Sequence, residues 1–264
     1  MTPSDADAAT ASPLPDELAR LADELERSIR EWEAEPGPWP EGRFEDLALR
    51  AHRLQHRHVA PYRRFCEARG VGPDTVSGWR EIPPVPAAAF RTAELSSARP
   101  GPDVLRFRTS GTTRGGTRRG VHVVPRPSIY RASAEAAFRR FVLDGAGYPP
   151  AVRPERPDLE PPVRLLSLIP TFAGSEDASL AWMCDAVRAR FGGPGSEVAA
   201  GPDGVDWSAA RAWAEGAAAG AEPVLVLATT LALDSWTRRL AAGGDRLHLP
   251  EGTRIMDTGG AKGR

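Results

Sequence analysis

The stretch Phe107-Arg-Thr-Ser-Gly-Thr-Thr-Arg-Gly-Gly116 concentrates more chemistry than any other part of this chain. It follows a strand-like run, Val104 to Arg108. At Gly111, Gly115 and Gly116 there is no side chain, so neighbouring backbone N–H groups can converge on one anion. The hydroxyls of Thr109, Ser110, Thr112 and Thr113 add donors, and Arg106, Arg108, Arg114, Arg118 and Arg119 add positive charge in forked geometry. Such a loop can hold a phosphate; the same composition also suits a plain polar loop. The spacing of a Walker A loop is absent.

A second glycine pair, Gly259-Gly260, follows the apolar-edged run Ile255 to Asp257. It either lets a flat group approach the backbone or makes a turn at a strand end. His122 lies just past Gly120 on a short strand, where histidines more often pack than react. Ser179 opens a helix, with Asp177 and Ser175 as candidate caps. His52 and His56 share a helix face at the spacing of zinc ligands, but no Cys or carboxylate cluster completes the set and His58 points elsewhere, so no metal site is expected. Cys66 and Cys184 lie in apolar helical stretches and read as buried small residues. A Gly-x-Ser-x-Gly elbow is missing.

The elements that must position these groups are readable from period and punctuation. Leu14, Leu18, Leu21, Leu25, Ile29 and Trp32 mark an amphipathic helix that ends at Pro36-Gly-Pro-Trp-Pro40. A second stripe, from Phe44 to Phe65, is bent or broken at Pro61. Residues 70–102 are turn-rich. Strands are expected at Val104–Arg108, Val121–Val124, Arg164–Ile169, Pro223–Ala228 and Thr253–Asp257. Helices are expected at Ser128–Leu143, Ala178–Phe191, after an Asp206 cap to Ala219, and at Thr229–Ala242. The alternation predicts an α/β fold, a mostly parallel sheet with flanking helices. The division expected is a disordered tail over 1–12, a helical and turn-rich segment over 13–100, and an α/β core over 101–264.

Composition narrows the classes. A net charge of −1 argues against a general nucleic-acid binder. No run of 18 apolar residues exists, so no membrane span is expected. The first twelve residues lack the basic and apolar parts of a signal peptide, and two cysteines make no disulfide framework, so the expected location is cytoplasmic.

Thr109-Ser-Gly-Thr-Thr113 resembles the signature loop of the adenylate-forming superfamily. It departs from that pattern at Arg114, and Arg118-Arg119-Gly120 replaces the usual Pro-Lys-Gly ending. His56-x5-Tyr62-Arg-Arg-Phe-Cys66, Trp79-Arg-Glu-Ile-Pro-Pro-Val-Pro86 with Phe90, Leu166-Ser-Leu-Ile-Pro170, Ala178-Ser-Leu-Ala-Trp-Met183 and Asp257-Thr-Gly-Gly-Ala-Lys-Gly-Arg264 narrow the likeness. Their order and spacing resemble the acyl-protein synthetase (long-chain-fatty-acid–luciferin-component ligase) family, from about residue 45 to the last residue.

The resemblance implies a partial adenylate-forming domain that uses ATP and Mg2+ to activate a fatty acid as acyl-adenylate and pass it to a protein thiol. It implies that Thr109, Ser110, Gly111, Thr112, Thr113, Arg114 and Gly115 hold the β- and γ-phosphates. Gly259 and Gly260 would lie against adenine and the acyl group, and His122, Ser179 and Lys262 would be possible substrate contacts. Implied partners are an acyl reductase or acyl-carrier protein. A phenylacetate-CoA-ligase-like enzyme and an inactive nucleotide-binding fragment or partner protein are the alternatives. The family's Tyr-Gly-x-Thr-Glu segment, ribose aspartate, C-terminal lysine and acyl-accepting cysteine are not found in this chain, so the sequence is expected to be truncated. Apolar faces are then expected to be exposed on Val224–Leu227 or Ile255–Met256.

Overall fold

A computed structural model describes residues 14–35, 37–98, 104–109, 119–144 and 161–259. The contacts group into two compact units, Met1–Ser133 and Ala134–Arg264.

The first unit starts with helices α1 (Asp16–Ala34) and α2 (Arg43–His58). α1 buries Leu18, Leu21 and Ala22, as its three-and-four spacing requires. Ion pairs lace it to α2: Glu17 with Arg57 at 2.6 Å, Glu24 with Arg50 at 2.8 Å, and Glu31 with Arg43 at 3.1 Å. Arg43 also donates to the buried Ser28 hydroxyl at 2.7 Å. The second apolar stripe breaks at Val59, where the backbone is extended, and resumes as α3 (Ala60–Glu67). Pro61 sits in the first turn of α3, where its missing N–H costs nothing. Continued as one helix, its ring would clash with the carbonyl of Arg57, so the break falls just before the proline. The turn-rich segment carries two 3₁₀ turns, Trp79–Glu81 and Ala87–Arg91. Strands β1 (Leu105–Arg108) and β2 (Val121–Val124) then pair antiparallel, from Leu105 opposite Val124 to Arg108 opposite Val121. α4 (Pro127–Phe138) follows, and Ile129 near its start packs with Leu14, Leu18 and Ala22.

The second unit is a mixed α/β layer built on a four-stranded parallel sheet. After α4 comes a π-helical turn, Arg139–Leu143, then β3 (Leu165–Ser167), α5 (Ser179–Phe191) and β4 (Glu197–Val198). A small antiparallel pair, β5 (Ala200–Gly201) with β6 (Gly204–Val205), leads into α6 (Trp207–Ala218). β7 (Leu225–Thr229), α7 (Thr230–Ala242) and β8 (Arg254–Thr258) complete it. The strand order is β4-β3-β7-β8. Strand residues alternate between the two faces, as the pleat demands. Leu166, Leu168, Val226 and Ala228 pack with Trp213 of α6 and Trp236 of α7. Leu165, Leu225 and Leu227 pack with Phe138, Leu143 and, from α5, Val187 and Phe191. Helices therefore cover both faces, and the strands read as unbroken apolar runs for that reason. Asp206 caps α6, accepting from the N–H groups of Ser208 and Ala209, each at 3.0 Å. Arg164 donates to the carbonyls of Gly195, Gly216 and Trp213 and lies over the Trp213 ring, tying the start of β3 to α6.

Three expectations need correction. β1 and β2 do not extend the parallel sheet; they form a separate hairpin. Antiparallel neighbours can be joined by a direct turn back, whereas a parallel pair needs a crossover, usually helical. By contacts this hairpin groups with the helical segment, not with residues 134–264, because β2 packs on the 3₁₀ turn at 87–91 and Arg126 pairs with Asp23 of α1. β4, β5 and β6 were not expected; at two residues each, beside Gly195, Gly201 and Gly204, they carry no readable alternation. Val224–Leu227 is not exposed, since every residue in it is 2 % exposed or less. Ile255, on the edge strand β8, is 49 % exposed.

Candidate functional site

The residues Ser110, Gly111, Thr112, Thr113, Arg114 and Gly115 lie outside the described residues, as do Gly260 and Lys262. What is described is the neck of the loop. The Thr109 N–H donates to the Gly120 carbonyl at 2.9 Å, and the Gly120 N–H donates to the Thr109 hydroxyl oxygen, also at 2.9 Å. Arg119 donates through Nε to the Thr109 carbonyl at 2.7 Å. The backbone donor and acceptor of Thr109 are thus used inside the chain, and its hydroxyl oxygen accepts there too. Thr109 therefore closes the loop.

His122 stacks on Phe90, with ring centroids 4.1 Å apart and planes 30° apart. Gly120 sits against the same residue: a Cβ built on it would lie 3.4 Å from the Phe90 Cβ and 3.3 Å from the Thr109 methyl. The missing side chain lets the neck pack closely on Phe90.

In the second unit the topology itself marks a site. From β3 the chain runs through α5 to β4 on one side. It returns through α6, on the opposite face, to β7 on the other side of β3, and continues to β8. The winding reverses between β3 and β7, and the carboxyl ends of strands flanking such a reversal form the usual ligand crevice of open α/β sheets.

Specific side chains gather at those strand ends. Thr230, the first residue of α7, donates through Oγ1 to Asp257 Oδ1 at 2.9 Å and also faces the Gly259 carbonyl. One hydroxyl proton is shared between these acceptors, and the sharing pins the end of β8 to the start of α7. Gly259 has φ +99°, a backbone region that favours glycine, with nothing within 4 Å of its missing Cβ. Thr229 caps α7, accepting from the Ala232 N–H at 3.2 Å. On β3, the Ser167 hydroxyl donates to the Ile169 carbonyl at 2.7 Å and bends the strand end. Asp185 of α5 accepts from the Phe172 N–H at 2.9 Å and fixes the turn that leads into that helix.

Ser179 is exposed at the first position of α5, whose cap residue is Ala178 and makes no side-chain cap bond. The starts of α5 and α7 both lie on this edge, where helix dipoles favour negative charge.

Of the predicted residues, Gly259 and Ser179 fall on this strand-end edge, and Thr109 and His122 fall on the hairpin of the first unit. Sequence reasoning missed Thr230, Asp257 as its partner, Ser167 and Asp185. A Thr-Thr pair after a wholly apolar strand was the signal for Thr230, since it reads as a strand running straight into a capped helix.

The cysteines and histidines take structural places. Burial, with a smaller push from Asp185, raises the Cys184 thiol to about 12, far from a reactive thiolate. Cys66 is fully buried beside Tyr62, whose ionisation burial also raises. His52 Nδ1 and the Tyr62 hydroxyl share a hydrogen bond of 2.8 Å. Among the described residues no three His, Cys, Asp or Glu side chains come together as metal ligands would.

No protein-family model, curated protein or solved structure matches the chain.

Proposed function

We propose that this protein activates a fatty acid with ATP and magnesium, forming an acyl-adenylate for transfer to a protein thiol. A carboxylate is a poor acyl donor because its leaving group would be oxide. Its oxygen attacks the α-phosphorus of ATP, a new O–P bond forms, and pyrophosphate leaves with the electrons of the broken P–O bond. A thiol then attacks the acyl carbon and AMP departs. The work is positioning and charge screening, for which fixed backbone donors and cations suit better than a nucleophilic side chain.

The observation that carries this reading is the strand-end edge. The Gly259 turn is held by Thr230, which also bonds Asp257, at the carboxyl end of β8 and next to β7, one of the two strands that flank the reversal. A bare glycine turn there accepts a flat base against the backbone, and the edge offers Asp257 as a hydrogen-bond acceptor for it. In this reading the phosphates fall to Ser110–Gly115, with Thr109 closing the loop rather than binding. Gly259 serves the adenine and acyl groups, and Ser179 and Lys262 are candidates for substrate contact. An acyl reductase or acyl-carrier protein is the proposed recipient.

The test is fatty-acid-dependent exchange of pyrophosphate into ATP by the full chain. Gly111→Val is expected to abolish exchange, because a branched side chain blocks backbone approach to phosphate. Thr230→Val, which frees the Gly259 turn, is expected to raise the KM for ATP more than it lowers kcat. Wild-type exchange in a folded Gly111→Val protein sinks the proposal.

A further inference from the structure

The first unit contains an open, mainly apolar groove of about 450 Å³. α1 supplies Leu14, Leu18, Leu21 and Leu25; α2 supplies Ala51 and Gln55. The hairpin side supplies Val123, Val124 and Pro125, and α4 supplies Ile129 and Tyr130. Among the described residues on its wall only Arg126 is charged, and its guanidinium is paired with Asp23. A second cavity of about 290 Å³ adjoins the first at Gln55, Val123 and Pro125. Its further lining includes Tyr62, Leu95, Ser96, Ser97 and Phe90. Phe90 is the residue on which the loop neck rests, through Gly120 and His122. The two cavities therefore run from the leucines of α1 to the neck of the Gly–Thr–Arg loop.

We propose that this pair of cavities is the site of an unbranched aliphatic chain, with its tail against the α1 leucines and its polar head toward Ser96, Ser97 and the loop neck. Three observations select that occupant. The larger lobe is lined mainly by aliphatic side chains and carries no unpaired charge among the described residues. An apolar cavity of roughly 150 Å³ already takes benzene, so this lobe has room for far more than one ring. Ser96 and Ser97 line the second lobe, so a ligand apolar at one end and polar at the other matches both. The inference rests on the fatty-acid reading above for the identity of the head, but it places the chain on walls of the first unit rather than beside Gly259 and Ser179.

The experiment is displacement of 11-(dansylamino)undecanoic acid from the full chain by saturated acids of increasing length, with Ala51→Trp and Ile129→Trp as blocking variants. Affinity should rise about fourfold per methylene until the lobe is full. Ala51→Trp should weaken tetradecanoate at least tenfold and move the preference to shorter acids, with unchanged circular dichroism; Ile129→Trp serves if the first variant fails to fold. Folded variants that bind tetradecanoate as the wild type does overturn the inference and leave the activation reading standing. So does an absence of chain binding alongside octanoate-dependent pyrophosphate exchange. Tighter binding of 2-naphthol than of tetradecanoate overturns it in favour of a rigid ligand. A concentration-dependent dimer abolished by Ala51→Trp overturns it in favour of a second copy of the chain. Chain binding that the variants block, without exchange for any acid, upholds this site and removes the activation reading.

Discussion

The two units solve packing in opposite ways. In the second, Leu165, Leu166, Leu225, Val226 and Leu227 are all 0 % exposed, with helices on both faces of the strands. Its polar side chains are driven to the strand ends, and that is where Thr230, Asp257 and Gly259 meet. The first unit is held by ion pairs between α1 and α2, a half-buried Arg43–Ser28 bond and a buried His52–Tyr62 bond, and it leaves an open apolar groove among its helices and hairpin. A sheet filled on both sides can offer chemistry only at its rim, whereas amphipathic helices around a short hairpin can leave room for a ligand inside.

The same substitution in each unit tests that contrast most strongly. Leu227→Ala removes a side chain packed on all sides and should cost about 3 kcal/mol in urea denaturation. Leu18→Ala, on the wall of a space already open, should cost about 1 kcal/mol, because fewer packing contacts are lost there. Equal costs would break the comparison by showing the first unit to be as tightly filled as the second.

A smaller effect is expected at the rim of the second unit. Asp206→Ala strips two N–H groups of α6 of their acceptor and should cost about 1 kcal/mol, with Asp206→Ser restoring most of it. A loss well under half of that would show that α6 is held by Trp213 and the sheet alone.

The smallest effect near neutral pH is a pH response confined to the first unit. Burial holds His52 below its ordinary value of 6.5, with the Gly72 carbonyl opposing and the charges of His56 and Arg53 adding to the depression. The neutral ring is therefore the folded form. Its contribution is fully present above 6.5 and is lost as the pH falls from there toward the depressed folded value, with the slope of one proton. His52→Gln keeps a partner for the Tyr62 hydroxyl without titrating, so its stability should stay flat across that window in melts from pH 7.5 to 5. A wild-type-like slope in that variant would assign the response to another group.

Much of the fold was legible from neighbouring residues. The leucine spacing of α1, the apolar run of β7 and the Asp206 cap each rest on interactions within a few positions, so local period and turn chemistry carried them. The break between α2 and α3 was placed near Pro61 and fell two residues earlier, because the ring acts on the turn before it. Part of the candidate site was legible too: Gly259 and Ser179 were singled out, and both stand on the strand-end edge. Thr230 was read only as helix, since the acceptors that give it a role lie 27 and 29 residues further along the chain.

By itself the sequence determined that helices and strands alternate, where apolar faces fall, and which loops carry glycine, hydroxyl and arginine together. Those properties follow from side-chain size and the periods 3.6 and 2, which act locally. Only the tertiary structure decided that β1 pairs back on β2, that β3 lies between β4 and β7, and that a space remains beside α1. Strand pairing and cavity volume depend on how residues far apart in the chain share burial, and the entropy of closing the loops between them is set by the whole fold rather than by any one segment.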